Sequence, residues 1–243
     1  MAKTAPTLLS SGTQTKHTAD RYVAFKNDKM KNLLTLLTIA LFMCTACLSQ
    51  NKIDKLGSQG VALFQNGAYK EALNKFNEII KLDSLNSEAY MRKADCLDIL
   101  GDTQNSIINY SRSIELDPKN KIALYNRALT YEKIGNIEHA ILDYNSAVES
   151  DPKNESELDN KLILLNLGIL YGQMNQLDKA IDAFKQTIKI DSNYADAYHN
   201  LGYAYQLKGD HAKAIECFDI AIRLNPNEIE YKRSKERSMK LKE

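Results

Sequence analysis

Between residues 53 and 228 the apolar positions recur at helical spacing, as in Ala197, Leu201, Ala204 and Tyr205, which places a stripe down one side of a helix. A longer rhythm is laid over this one. Small residues followed four later by an aromatic occur at Ala72/Phe76, Ser106/Tyr110, Ala140/Tyr144, Ala180/Phe184 and Ala214/Phe218, in steps of 34, 34, 40 and 34. A second set, Gly60, Ala94, Ala128, Gly168 and Gly202, keeps the same steps, each followed three later by Leu63, Leu97, Tyr131, Tyr171 or Tyr205. Two sets sharing one period define five units, at 53–86, 87–120, 121–154, 161–194 and 195–228, each long enough for two short helices.

Turn chemistry supports the same division. Gly67, Gly101, Gly135 and Gly209 stand where the first helix of a unit should stop, and Asp102, Asn136 and Asp210 follow as N-caps of the second. Asp117-Pro118, Asp151-Pro152 and Asn225-Pro226 close the second helix, because the residue before proline is pushed out of the helical region. The fourth unit departs, with Asn175 and Ser192 in these places. Six extra residues between Pro152 and Lys161 either extend the next helix backwards or form a surface loop, and mark the one candidate hinge. Residues 229–243, with Tyr231, Met239 and Leu241 among Lys, Arg and Glu, read as a helix that covers the open end of the array.

Tyr198, Leu201, Gly202, Tyr205, Ala214, Phe218 and Pro226 closely resemble the tetratricopeptide repeat, and Leu164, Leu167, Gly168, Tyr171, Ala180 and Phe184 come near it. The resemblance implies an all-α fold, an α-solenoid of five helix-turn-helix repeats plus a capping helix. It also implies a concave side lined by the first helices of the units.

The N-terminal segment has a different pattern. Leu33 to Met43 carries no charge, follows Lys29 and Lys31, and gives way to polar sequence from Ser49. Its eleven to sixteen apolar or small residues fall short of the roughly 20 that span a bilayer and suit a signal-peptide core. Thr45-Ala46-Cys47 resembles the lipobox of bacterial lipoproteins, with Cys44 where an aliphatic residue is usual; the resemblance makes Cys47 the acylated residue, anchored in the cell envelope. Leu48 resembles the following residue of lipoproteins passed to the outer membrane. Residues 30–46 are then the signal, 47–52 a linker and 1–29 a polar leader, expected to be disordered or untranslated with Met30 as the start. An uncleaved membrane anchor or a buried helix is the alternative.

Composition narrows the function. Lys+Arg 32 against Asp+Glu 31 in 243 residues argues against a protein whose main task is gripping nucleic acid. Six basic and two acidic residues precede Cys47, so the remainder is mildly acidic. His139, His199 and His211 share no metal-ligand spacing with one another or with Cys96, and no phosphate loop or dinucleotide fingerprint is present. Cys96 and Cys217 lie in distant units and read as buried apolar groups. No cofactor, metal or catalytic group is expected.

What remains is binding. The sixth position of the first helix carries Arg92, Asn126, Asn166 and Asn200 in units two to five. A row of side-chain amides can pair with the backbone of an extended peptide whatever its sequence. The row resembles the asparagine ladder of superhelical repeat arrays in some glycosyltransferases, although Asn there also serves as plain solvated surface. Around it lie Met91, Tyr125, Leu129, Leu165, Ile169, His199 and Tyr203, the apolar and aromatic groups a peptide groove needs, some of them destined for the core. The basic clamp that holds the C-terminal carboxylate of chaperone tails is not there: Gly57, Val61, Arg92, Ile122 and Asn126 occupy its places. The expected function is a lipid-anchored adaptor holding a protein or extended peptide. A self-associating structural component of an envelope assembly, or a regulatory module of a separate enzyme, are the alternatives.

Overall fold

A computed structural model describes residues 11–154 and 158–242 as helices and the turns between them, with no strand among the described residues. The first ten residues of the leader, and 155–157 of the six-residue insertion, lie outside them. The chain divides after Lys55 into two compact parts.

The first part is helical throughout its described length, as the beginning of α1 (Ser11–Gln65). Leader residues 11–29, the apolar segment and 47–52 are all helical. Leu33, Leu37, Leu41 and Phe42 are exposed, and so is Cys47. The stretch Lys29–Gln65 contains a window of mean hydropathy 1.9, none of it buried, that is long and apolar enough to cross a membrane; a signal sequence meets the same description.

The second part, Leu56–Glu243, is the array. The end of α1 pairs with α2 (Tyr69–Leu82), α3 (Ser87–Ile99) with α4 (Thr103–Leu116), and α5 (Lys121–Lys133) with α6 (Ile137–Ser150). Then α7 (Asn160–Gln173) pairs with α8 (Leu177–Ile190), and α9 (Ala195–Leu207) with α10 (His211–Leu224), while α11 (Ile229–Lys242) packs on α10. The paired helices approach closely because small residues face aromatic rings. A Cβ added to Gly202 would lie 2.7 Å from Phe218 and 3.1 Å from the Ala214 carbonyl, and one on Gly60 would lie 2.8 Å from Phe76. Ala128, Ala140 and Tyr144 share one buried cluster in the third unit.

Helix ends follow the chemistry of their sequence. Gly67, Gly101, Gly135 and Gly209 have φ between 74° and 86°, and Asn175 adopts the same left-handed turn at 57°. Asp102, Asn136 and Asp210 accept hydrogen bonds from the backbone N–H three residues on, and Asn86 and Asn120 do the same for α3 and α5. Asp83 and Asp191 close α2 and α8 in the same extended conformation as Asp117 and Asp151, although serine rather than proline follows them.

The insertion does not lengthen the next helix. Asp159 caps α7 at Asn160, the Asn160 side chain donates to the Asp151 carbonyl, and Asn154 Oδ1 accepts from the Asn160 N–H. Lys121, almost fully buried, reaches Asp151 at 2.9 Å and the Leu158 carbonyl at 2.5 Å. The core runs on across the junction, since Leu124 and Tyr144 of unit three cluster with Ile163, Leu167 and Leu170 of unit four.

Candidate functional site

The first helices of units two to five present four equivalent positions each: Arg92, Asp95, Asp98 and Ile99 on α3; Asn126, Leu129, Glu132 and Lys133 on α5; Asn166, Ile169, Gly172 and Gln173 on α7; and Asn200, Tyr203, Gln206 and Leu207 on α9. Every charge in this set belongs to units two and three.

Between α3 and α5 these residues enclose a notch of about 310 Å³, lined by Phe64, Asp95, Asp98, Ile99, Tyr110, Asn126 and Leu129. Its floor is polar. The Tyr110 hydroxyl donates to Asp95 Oδ1 at 2.6 Å, the Asn126 amide donates to the same oxygen at 3.0 Å, and Arg92 lies 3.8 Å from Oδ2. Burial outweighs these contacts and holds the Asp95 carboxyl above the usual carboxylate range. At the next step, between α5 and α7, Tyr144 donates to Glu132, and the Asn166 amide reaches the Tyr144 hydroxyl at 3.3 Å.

Between α7 and α9 the same register opens into an apolar notch of about 300 Å³, lined by Gly168, Ile169, Gly172, Gln173, Leu177, Phe184, Asn200, Tyr203, Ala204 and Leu207. Two changes hollow it out together. Phe184 stands where Tyr110 and Tyr144 carry hydroxyls, and Gly172 stands where Asp98 and Glu132 carry carboxylates. A Cβ on Gly172 would meet nothing within 4 Å.

The residues singled out in sequence therefore divide. Leu129, Ile169, Asn200 and Tyr203 line the two notches. Asn126 and Asn166 lie on the same face, but their amides are spent inside the protein, and Arg92 is tied to Glu88 and Asp95. Met91 is core, Tyr125 packs its ring on Tyr144 at 5.7 Å, and Leu165 packs against the buried cluster of units four and five. His199 lies under α11, with Tyr231 and Phe218 rings 4.8 and 5.5 Å away and Ser234 Oγ 3.0 Å from Nε2. Burial pushes the His199 imidazole below its ordinary pKa, against the opposing pull of Glu230, Asp196 and Glu228. Cys47 lies in the other part of the chain, on α1.

Asp95, Gly172 and Phe184 were missed in sequence, although aligning the units position by position shows Gly172 replacing an acid. Burial raises the Cys96 and Cys217 thiols to about 12 and about 11, and no group of three or more potential metal ligands occurs among the described residues.

Helix pairs stacked in this way, with an open face lined by the first helix of each pair, define an α-solenoid repeat array. Residues 122–154 and 195–228 match the tetratricopeptide repeat family, as do 58–121, and 168–209 match a further description of the same repeat. The chain belongs to the tetratricopeptide repeat family. Among curated proteins it is 34% identical over 61 residues to the chloroplastic tetratricopeptide repeat domain-containing protein PYG7 of Arabidopsis thaliana, a match covering 25% of this chain and 20% of that one. It spans less than half the length of each of three curated relatives. Among solved structures, MamA superposes with a TM-score of 0.62 at 23% identity, over 69% of this chain and 94% of that one. YrrB superposes with a TM-score of 0.65 at 20% identity, over 74% and 90%. The family matches are to repeat modules rather than to an enzyme family.

Proposed function

We propose that the chain is an adaptor, tethered to a bacterial cell envelope through Cys47, which holds an extended segment of a partner protein along the face made by α3, α5, α7 and α9 and carries out no reaction of its own. The observation that carries this reading is the recurrence of one register as two notches, a polar one between α3 and α5 and an apolar one between α7 and α9, both open to solvent. Such recesses suit separate side chains of an extended segment. YrrB, which shares the fold, is described as having an unusual peptide-binding site. The tether rests on the lipobox-like residues and on the exposed apolar helix before Cys47. Several acyl chains would be needed for a firm hold, since one is weak.

Two measurements test the two halves. Partner recovery in a pull-down should fall when Asn200 and Tyr203 are both changed to Ala, and undiminished recovery would remove this face from the interaction. Metabolic labelling with a fatty acid should mark the wild-type chain and not Cys47→Ala; equal labelling of both would end the tether.

A further inference from the structure

The apolar notch between α7 and α9 differs from the polar notch between α3 and α5 of the same array. In units two and three a tyrosine hydroxyl meets a carboxylate at the base of the first helix face: Tyr110 with Asp95, Tyr144 with Glu132. In unit four the tyrosine is replaced by Phe184, and the positions of Asp95 and Glu132 are taken by Ile169 and Gly172; a Cβ on Gly172 would meet nothing within 4 Å. Single loss of either group would strand the other. Joint loss leaves an apolar recess walled by Ile169, Phe184, Tyr203 and Leu207, with the Asn200 amide at its edge. Unlike Asn126 and Asn166, Asn200 has no hydrogen-bond partner for its amide among the described residues.

We infer that this notch is a specificity pocket for one bulky apolar side chain, leucine, methionine or phenylalanine, of an extended peptide segment whose backbone is gripped by Asn200 and whose basic residue sits over the α3–α5 notch. The inference rests on the peptide-holding reading above and names its ligand. The charge pattern selects the basic residue: Lys133 pairs with Asp98 at 3.2 Å and Arg92 lies 3.8 Å from Asp95, which leaves one acid in excess on units two and three, and units four and five carry no charge at these positions. Burial already strains the ionised form of Asp95, which a peptide cation would relieve. α3 packs on α5 and α7 on α9, and α6 packs on both α5 and α7 between them.

The test is selection from a random dodecapeptide library on the full chain held in a mild detergent, followed by binding of one enriched peptide, synthesised with a fluorophore. Enriched peptides should share Leu, Met or Phe at one position and Lys or Arg at a second, a fixed number of residues away. Changing that apolar residue to Ala should weaken binding about tenfold or more. Gly172→Glu with Phe184→Tyr, which rebuilds the pair found in unit three, should weaken it about as much. Its melting temperature should not fall, because the new Glu side chain enters open space. Enrichment without a shared apolar position, or equal affinity for the rebuilt protein, would overturn the pocket and leave the peptide groove standing. No enrichment from any pool would overturn both.

Discussion

Phe184 packs its ring into the space that a side chain on Gly168 would need, with Cδ1 2.7 Å from the place a Cβ would take, while one turn later Gly172 faces nothing. Two glycines on one helix thus carry opposite expectations. Gly168→Ala gains helix propensity but overpacks a buried ring, and should lower stability by about 1–2 kcal/mol. Gly172→Ala gains propensity without a clash and should raise it by roughly 0.5–1 kcal/mol. Denaturant melts of the two variants, side by side, check the sign of each.

Arg127 and Asp143 form a two-pronged ion pair, with both bonds at 2.7 Å, and a third guanidinium bond of 2.8 Å to Ser111 of the preceding unit. Both residues are largely withdrawn from water. Asp143→Ala strands the guanidinium and should cost on the order of 3 kcal/mol, whereas Arg127→Met with Asp143→Leu should restore most of that loss. Chemical denaturation of the single and double variants measures it.

The His199 imidazole has a folded-state pKa below its ordinary value of 6.5, because burial under α11 disfavours the charged ring. A group shifted downward in this way contributes stability that is complete above 6.5 and drains as pH falls through the folded-state value. The wild-type melting temperature should therefore fall below pH 6.5 relative to that of His199→Phe, which keeps the ring contacts and cannot take up a proton. Melts from pH 8 to about 5 show whether the two curves separate in that direction.

Thiol reactivity should separate the cysteines by environment. Cys96 and Cys217 are buried, with thiols raised to about 12 and about 11. In a variant with Cys44 and Cys47 changed to Ser, alkylation at pH 8 should be negligible until denaturant is added, because almost no thiolate is present. Mass spectrometry of the alkylated protein reads the outcome.

The five-unit architecture was legible in sequence because it is a local property repeated. A helix of about fourteen residues, a left-handed turn, an Asp or Asn cap and a small-residue contact each depend on neighbours within one period, and repetition amplifies the signal. Asn175 filled a glycine place, and Asp83 and Asp191 filled aspartate-proline places. In each case the backbone conformation asked for less than the usual residue supplies.

The candidate binding face was less legible. Asn126, Asn166 and Asn200 are the same residue at the same position, and nothing local distinguishes them. Their difference lies in the preceding unit: Asp95 and Tyr144 take the first two amides, while Gly172 and Phe184 leave the third facing a recess. His199 likewise shares its helix position with Leu165 and Tyr125, and only the docking of α11 removes it from the open face. Sequence alone determined the helices, their caps and their period, since these are settled by contacts a few residues apart. Which side chains stay available to a partner was decided in three dimensions, because availability depends on what neighbouring units have already consumed.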